Sequence, residues 1–241
     1  NLYYGRLRST QFKWLDVVAL FSNIALTIEP RSAVIAVKYF TAPALTKFAR
    51  HGAVSMKAQN DYHRALEAKY PGVFSKILGS HVFEKDGTSL PIYIDGQAFN
   101  KRNTVKVWRL VEKKTDVNIA MAMYRDAYKG LVDQLILVSN DSDAQPVLEA
   151  ISEDFPQLRL GLIMPLAFPE DGKKSRPPSN GLARLSHWNR TYIRDEELKN
   201  AIANEMPKTV PLLFISSVTN QGLTALKDKL WTLLNEPINQ E

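Results

Sequence analysis

Two carboxylates two residues apart, Asp141 and Asp143, stand in the stretch Ser139-Asn140-Asp141-Ser142-Asp143, after an apolar run and at the start of a helical pattern. Carboxylates that close repel one another unless a proton or a cation lies between them. Hard oxygen ligands in this arrangement suit Mg²⁺ or Mn²⁺, which take one or two carboxylates together with a substrate phosphate. The same residues equally suit a turn at Asp141 and a helix cap at Asp143, because Asp is a favoured N-cap. A third acid, Asp116, follows Glu112-Lys113-Lys114-Thr115 where another helix is predicted to begin. Taken alone, that position is better explained by an acid in a first helical turn. Lys113 and Lys114 beside these acids are of the kind that handles phosphate, and equally of the kind that is simply solvated.

The elements that must position these residues are legible in the apolar spacing. Helical spacing predicts a first helix over 12–28, and a β-rich apolar run predicts a buried strand over 33–40. A mostly helical stretch over 43–70 is stopped by Pro71-Gly72. Strands are then expected at 77–83 and 104–110, around a polar, hairpin-like excursion with a short β-like piece at 90–94. A helix over 116–128 is closed by Gly130, and a fully apolar strand over 135–139 leads into a helix over 142–154, with Pro146 in its first turn. Another buried strand is expected at 158–164, followed by a Pro/Lys/Ser/Gly-rich loop at 168–181 and a helix near Asp195–Ala203. Alternating strands and helices predict a mostly parallel sheet covered on both faces. Sites in such sheets form beyond the carboxyl ends of the strands, which is where 139–143 falls.

The 241 residues suffice for one large α/β domain, or a domain with an appendage. The chain has no cysteine, which excludes disulfides, zinc–thiolate sites and thiol catalysis. No apolar run approaches the roughly 18–20 residues of a membrane span, so the expectation is a cytoplasmic protein without a membrane partner. The net charge of +6 and pI near 9.4 favour a polyanionic partner, nucleic acid first. A helical piece carrying Lys57, Tyr62 and Arg64 would lie along an RNA backbone with Tyr62 stacked on a base. It reads equally well as a solvated face with a packed tyrosine. The four histidines (His51, His63, His81, His187) show no ligand spacing, which favours structural roles.

The stretch 112–165 resembles the NYN family of PIN-like nuclease domains, in its bacterial LabA-like branch. Lys113-Lys114-Thr115-Asp116-Val117-Asn118-Ile119-Ala120, Met123-Tyr124-Arg125-Asp126-Ala127 and Leu137-Val138-Ser139-Asn140-Asp141-Ser142-Asp143 carry the likeness. Asn1-Leu2-Tyr3-Tyr4-Gly5 is similar to the tail of the family's opening Asp-Gly-x-Asn-Leu-Tyr-Tyr-Gly motif, and the segments from Leu185 and from Tyr192 also resemble this branch. The resemblance implies a domain over 1–207 with a three-layer α/β/α PIN-like (Rossmannoid) fold around a mostly parallel central sheet, its first strand beginning before residue 1. It implies a Mg²⁺- or Mn²⁺-dependent ribonuclease in which Asp116, Asp141 and Asp143 are catalytic and metal-binding. Asn1, Lys113, Lys114, Ser139 and Asn140 would contact substrate, with Glu112, Lys57, Tyr62 and Arg64 behind them. The motif's leading Asp would stand three residues before Asn1. The alternative is a catalytically weak NYN domain acting as an RNA-binding or protein-interaction module.

The remaining 208–241 read as a strand, turn and amphipathic helix, and resemble the closing strand and helix of Obg-type GTPases. No Gly-x-x-x-x-Gly-Lys-Ser/Thr or Asn-Lys-x-Asp pattern occurs anywhere in the chain. GTP is therefore not an expected partner, and the tail is expected to be an added structural element or an interaction arm for a protein partner or a second copy.

Overall fold

Parallel pairing, as the alternation of elements predicts, recurs in the computed structural model, which describes residues 2–8, 10–169 and 176–203. The chain is mixed α/β and divides into two units, one formed by Asn1–Val34 with Val132–Glu241, the other by Ile35–Leu131. The first unit opens with a π-helical turn at Tyr3–Leu7. There Arg6 is buried, its Nε donating to Ile193 O at 2.8 Å while its guanidinium pairs with Asp195. Helix α1 (Val17–Ile28) starts later than the apolar spacing suggests. Asp16 fixes the start by accepting from the Ala19 N–H at 2.8 Å, and so satisfies one of the first turn's orphan donors.

In the second unit, β1 (Val37–Thr41) and β2 (Phe74–Leu78) pair in parallel, in register from Val37↔Phe74, across helix α2 (Ala53–Lys69). The single strand expected at 77–83 is broken at Gly79, whose N–H donates to Thr41 O at 2.9 Å. Any side chain there would collide with Thr115 and the Lys113 carbonyl. Beyond it the chain changes partner. Strand β3 (Ser80–Phe83) runs antiparallel to β6 (Leu110–Lys113), and β4 (Thr88–Pro91) antiparallel to β5 (Thr104–Val107). The strand expected at 104–110 is therefore two strands, divided at Trp108. Helix α3 (Thr115–Lys129) ends at Gly130 in the left-handed region, as the sequence predicts. It is tied to β1 by Lys38, whose Nζ donates to Asp126 at 2.6 Å.

The first unit resumes with β7 (Gln134–Val138), β8 (Arg159–Leu166) and β9 (Trp188–Tyr192), a three-stranded parallel sheet in that order. Helix α4 (Gln145–Asp154) connects the first two strands, α5 (Asn180–Leu185) the second two, and α6 (Asp195–Ala203) follows. Apart from Arg159, β8 is buried throughout, as a parallel strand covered on both faces should be. Leu148, Ile151, Leu182, Ile193 and Leu198 are buried in the same unit. Strand β9 was not foreseen. Its Trp188-Asn189-Arg190-Thr191-Tyr192 text is half polar because it is half-buried, with only β8 beside it among the described residues, and Gly161 of β8 leaves the room the Trp188 ring fills. Among the described residues no helix is long and apolar enough to cross a membrane.

Leu162, fully buried in β8, is the position where truncation should cost most. Leu162→Ala is expected to lower unfolding free energy by about 2–5 kcal/mol in urea titrations. His63 gives a second test. It is buried against Tyr39, ring centroids 5.6 Å apart. Burial first, and Lys76 second, hold its pKa below the ordinary 6.5. The unfolded chain therefore takes up this proton before the folded chain does, so stability is full above 6.5 and falls as pH drops through it. The urea midpoint should decline between about pH 7.5 and 5.5, and His63→Phe should flatten that decline.

Candidate functional site at the strand ends

Of the residues singled out by the sequence, Ser139–Asp143 follow the carboxyl end of the parallel strand β7, Glu112–Asp116 lie where the antiparallel strand β6 passes into α3, and Lys57, Tyr62 and Arg64 lie on α2. In the first unit β7 stops at Val138, and the Ser139 N–H still donates to Ile163 O at 3.1 Å, which holds the turn against β8. Ser139 is buried and its Oγ accepts from the Asp141 N–H at 3.0 Å. Asp141 in turn accepts from the Asp143 N–H at 3.3 Å and caps a short 3₁₀ turn, Ser142–Ala144, that leads into α4. The helix predicted over 142–154 therefore begins with a tighter turn, and Asp141 rather than Asp143 is its cap. Asn140 faces the loop before α5: its Nδ2 donates to Pro177 O at 3.0 Å and its Oδ1 accepts from Ser179 N–H at 2.8 Å. Both ends of one amide thus fix the loop to the end of β7. Gln145, which donates to Glu149 at 2.8 Å, lies against Gly181 and closes the same corner. Gly5 packs against the Pro165 carbonyl near the end of β8, and so brings the N-terminal turn to this edge of the sheet.

The second unit repeats the theme. Asn118 of α3 donates from Nδ2 to Leu78 O, the last residue of β2, at 3.3 Å. Asp116 is in the first turn of that helix, and Thr115 Oγ1 donates to Glu112. Lys114 immediately before them has φ +74°, a left-handed backbone that glycine adopts freely and a lysine does not. The only non-glycine residue of positive φ among the described residues is therefore itself one of the two candidate substrate-facing lysines, and strain of that kind gathers at functional sites. Lys57 and Arg64 on α2 both pair with Asp61, Arg64 at 2.6 Å, which lowers the Asp61 pKa through hydrogen bonds to Lys57 and then Arg64. Their charge is thus partly spent within the helix, and Tyr62 lies against His63, centroids 5.8 Å apart. Asn1 lies outside the described residues, as does the tail 208–241.

The three acids are thus divided between the units: Asp116 belongs to one, Asp141 and Asp143 to the other. Among the described residues no three His, Asp or Glu side chains gather as a group able to hold a metal ion. A shallow groove between α1 and α6, lined by Asn23, Thr27, Glu197 and Asn200 among others, contains none of these residues. What sequence reasoning missed is the support around the turn. Asn140 was read as a substrate contact, while the amide is engaged on both ends by the loop at 177–179. No local signal announces a partner nearly forty residues away.

A mixed α/β chain with polar residues displayed at the ends of parallel strands is the class this geometry defines. No family model and no solved structure matches the chain. Among curated proteins, 6-hydroxy-3-succinoylpyridine 3-monooxygenase HspA of Pseudomonas putida is 30% identical over 227 residues, covering 88% of this chain and 69% of HspA. The chain belongs to the HspA family. Shorter matches, at the C-terminal end, are to the GTPase Obg of Cytophaga hutchinsonii (56% identical over 54 residues, 22% of this chain) and of Flavobacterium johnsoniae (53% over 66 residues, 26% of this chain). They span only 16% and 20% of those GTPases.

These findings correct the expected enzyme class. A Mg²⁺- or Mn²⁺-dependent nuclease is a hydrolase, whereas the relative that covers most of the chain is a monooxygenase, an oxidoreductase. The physical reason for the error is that carboxylates at strand ends fix a place for polar chemistry and leave its kind open. The role of Asn140 is open to measurement. Asn140→Ala leaves the Ser179 N–H and the Pro177 carbonyl without their partner, and is expected to cost about 1–3 kcal/mol, read as a lowered thermal midpoint. Asn140→Asp, which keeps the acceptor for Ser179, should lose less.

Proposed function

We propose that this protein is a monooxygenase acting on a hydroxylated, carboxylate-bearing pyridine-type ring, with Ser139–Asp143 at its polar centre. The observation that carries the reading is the relationship to HspA, which extends over 88% of the chain rather than over one motif. Monooxygenation puts one atom of O₂ on the ring and releases the other as water, with two electrons and two protons drawn from a reductant. A ring hydroxyl that gives up its proton pushes electron density into the ring and favours attack by an electrophilic oxygen. Asp141, half-buried and held by Ser139 and Asp143, is the group we assign to receive that proton.

The turn itself does not suit the pyrophosphate of a dinucleotide reductant. Such a cradle needs glycine where strand passes into helix, and Ser139-Asn140-Asp141-Ser142-Asp143 has none. The N-terminal end of α4, where an anion would otherwise settle, already carries two carboxylates. A reductant would therefore approach elsewhere on the chain. The finer architecture, a three-layer PIN-like sandwich shared with NYN domains, is part of this proposal. It is supported by parallel pairing in both units and by the order of the NYN-like stretches.

The test supplies 6-hydroxy-3-succinoylpyridine, a reduced nicotinamide or flavin and isotopically labelled O₂ to the full chain. One labelled oxygen atom is expected in the ring product, with oxygen uptake that depends on the pyridine. Asp141→Asn should slow turnover about a hundredfold while its circular dichroism stays that of the parent. Absence of labelled product from correctly folded protein would overturn the reading.

A further inference from the structure

Between β3 and β6 the second unit extends a two-stranded antiparallel ribbon that carries the β4–β5 pair and the loop 92–103. The ladder runs from Ser80↔Lys113 to Phe83↔Leu110, continues through the Glu84 N–H to Arg109 O at 2.9 Å, and resumes at Thr88↔Val107. At the join, Lys85-Asp86-Gly87 stand opposite Trp108 alone, with Gly87 at φ +77°. Three residues facing one make a bulge, a device that bends a ribbon and re-aims the side chain opposite. Trp108 is 78% exposed.

Beyond the bulge, the register places Leu90 opposite Val105 and Thr88 opposite Val107, so these four share one face. The Ile92 N–H donates to Asn103 O at 2.9 Å and carries the pairing toward the loop. Leu90, Ile92, Ile94 and Val105 are all exposed, and so are two aromatics of the loop, Tyr93 at 84% and Phe99 at 81%. Five cations lie on the same segment, Lys85, Lys101, Arg102, Lys106 (opposite Ser89, on the other face) and Arg109, all exposed, none ion-paired among the described residues. Two acids lie on the same segment, Asp86 at the bulge and Asp95, which accepts from the Tyr93 hydroxyl at 3.1 Å. From 85 to 109 the charge is five positive against two negative, a surplus of three.

We propose that this ribbon docks on an anionic lipid surface, laying its aliphatic face and loop aromatics into the headgroup region while the cations meet lipid phosphates and carboxylates. Two features select lipid over another polyanion. The face carrying Leu90 and Val105 is aliphatic apart from Thr88, and Leu, Ile and Val have neither a π face on which a base can stack nor a group that reads its edge. Tyr and Trp in one segment with aliphatic residues and with Lys and Arg are the residue types that settle at a membrane–water boundary. Peripheral attachment of this kind needs no spanning helix. The inference stands apart from the redox reading, because it uses no residue of the Ser139–Asp143 turn.

The test is co-sedimentation of the full chain with phosphatidylcholine vesicles, with and without phosphatidylserine. The chain is expected to pellet with the phosphatidylserine vesicles, to be released by salt, and to stay in solution with neutral ones. Trp emission should shift to the blue on binding, and Trp108→Phe should abolish most of the shift. Lys101→Glu/Arg102→Glu is expected to weaken binding about tenfold or more. Ile92→Ser/Tyr93→Ser/Phe99→Ser should abolish what salt leaves. All these side chains are exposed, so circular dichroism should remain that of the parent. Failure to pellet at low salt, or variants that pellet like the parent, would overturn the proposal. So would ribbon-dependent binding of a single-stranded oligonucleotide in the absence of any vesicle binding, which would assign the surface to nucleic acid instead.

Discussion

The burial of β8 on both faces is the constraint from which the rest of the first unit follows. A strand that is apolar beyond Arg159 and pairs with parallel neighbours on both edges leaves no place for a polar side chain along its own length. Every group able to do chemistry is pushed beyond the carboxyl ends, where the backbone leaves the ladder and must be satisfied by side chains. Ser139, Asn140 and Asp141 answer that need one after another. Their hydrogen bonds are the structural condition for the turn, and they are also what would hold a reactive carboxylate still.

That double duty explains why the sequence was easier to read for place than for chemistry. Strands at β7 and β8, helix α3 with its terminal glycine, and helix α6 were legible because apolar periodicity and end signals agreed there. The breaks at Gly79 and Trp108 were not, since both lie inside runs of β-forming residues. What divides them is a change of partner strand, which is a property of distant chain. Strand β9 escaped for a related reason: a half-buried strand with one neighbour carries polar residues that pattern reading assigns to loops. At the site, the position of 139–143 at a strand end was readable. The bond from Asn140 to the loop before α5 joins segments nearly forty residues apart and left no local trace.

The correction from nuclease to the HspA family follows the same logic. A pair of acids after a buried strand is a geometric statement about where solvent, substrate and helix dipole meet. Hydrolysis and oxygen insertion both use a positioned carboxylate, one to hold metal ions or activate water, the other to take up a proton. Motif order along the chain fixes which residues share a strand end. The kind of electron flow at that end is decided by what else binds there, and relatedness over 88% of the chain informs that better than two carboxylates do.

The bulge opposite Trp108 makes residue count at one point a setting for orientation. Side chains alternate between faces with a period of two along a strand, so the three residues at 85–87 fix the phase between the lower and upper halves of the ribbon. Loss of two of them would let the ladder run on unbroken and straighten the arm. Loss of one would put the halves out of phase and turn the aliphatic side of the outer half over. The arm therefore behaves as a jointed lever whose facing direction is written in length rather than in residue type, and it can be re-aimed without altering any contact in the body of its unit.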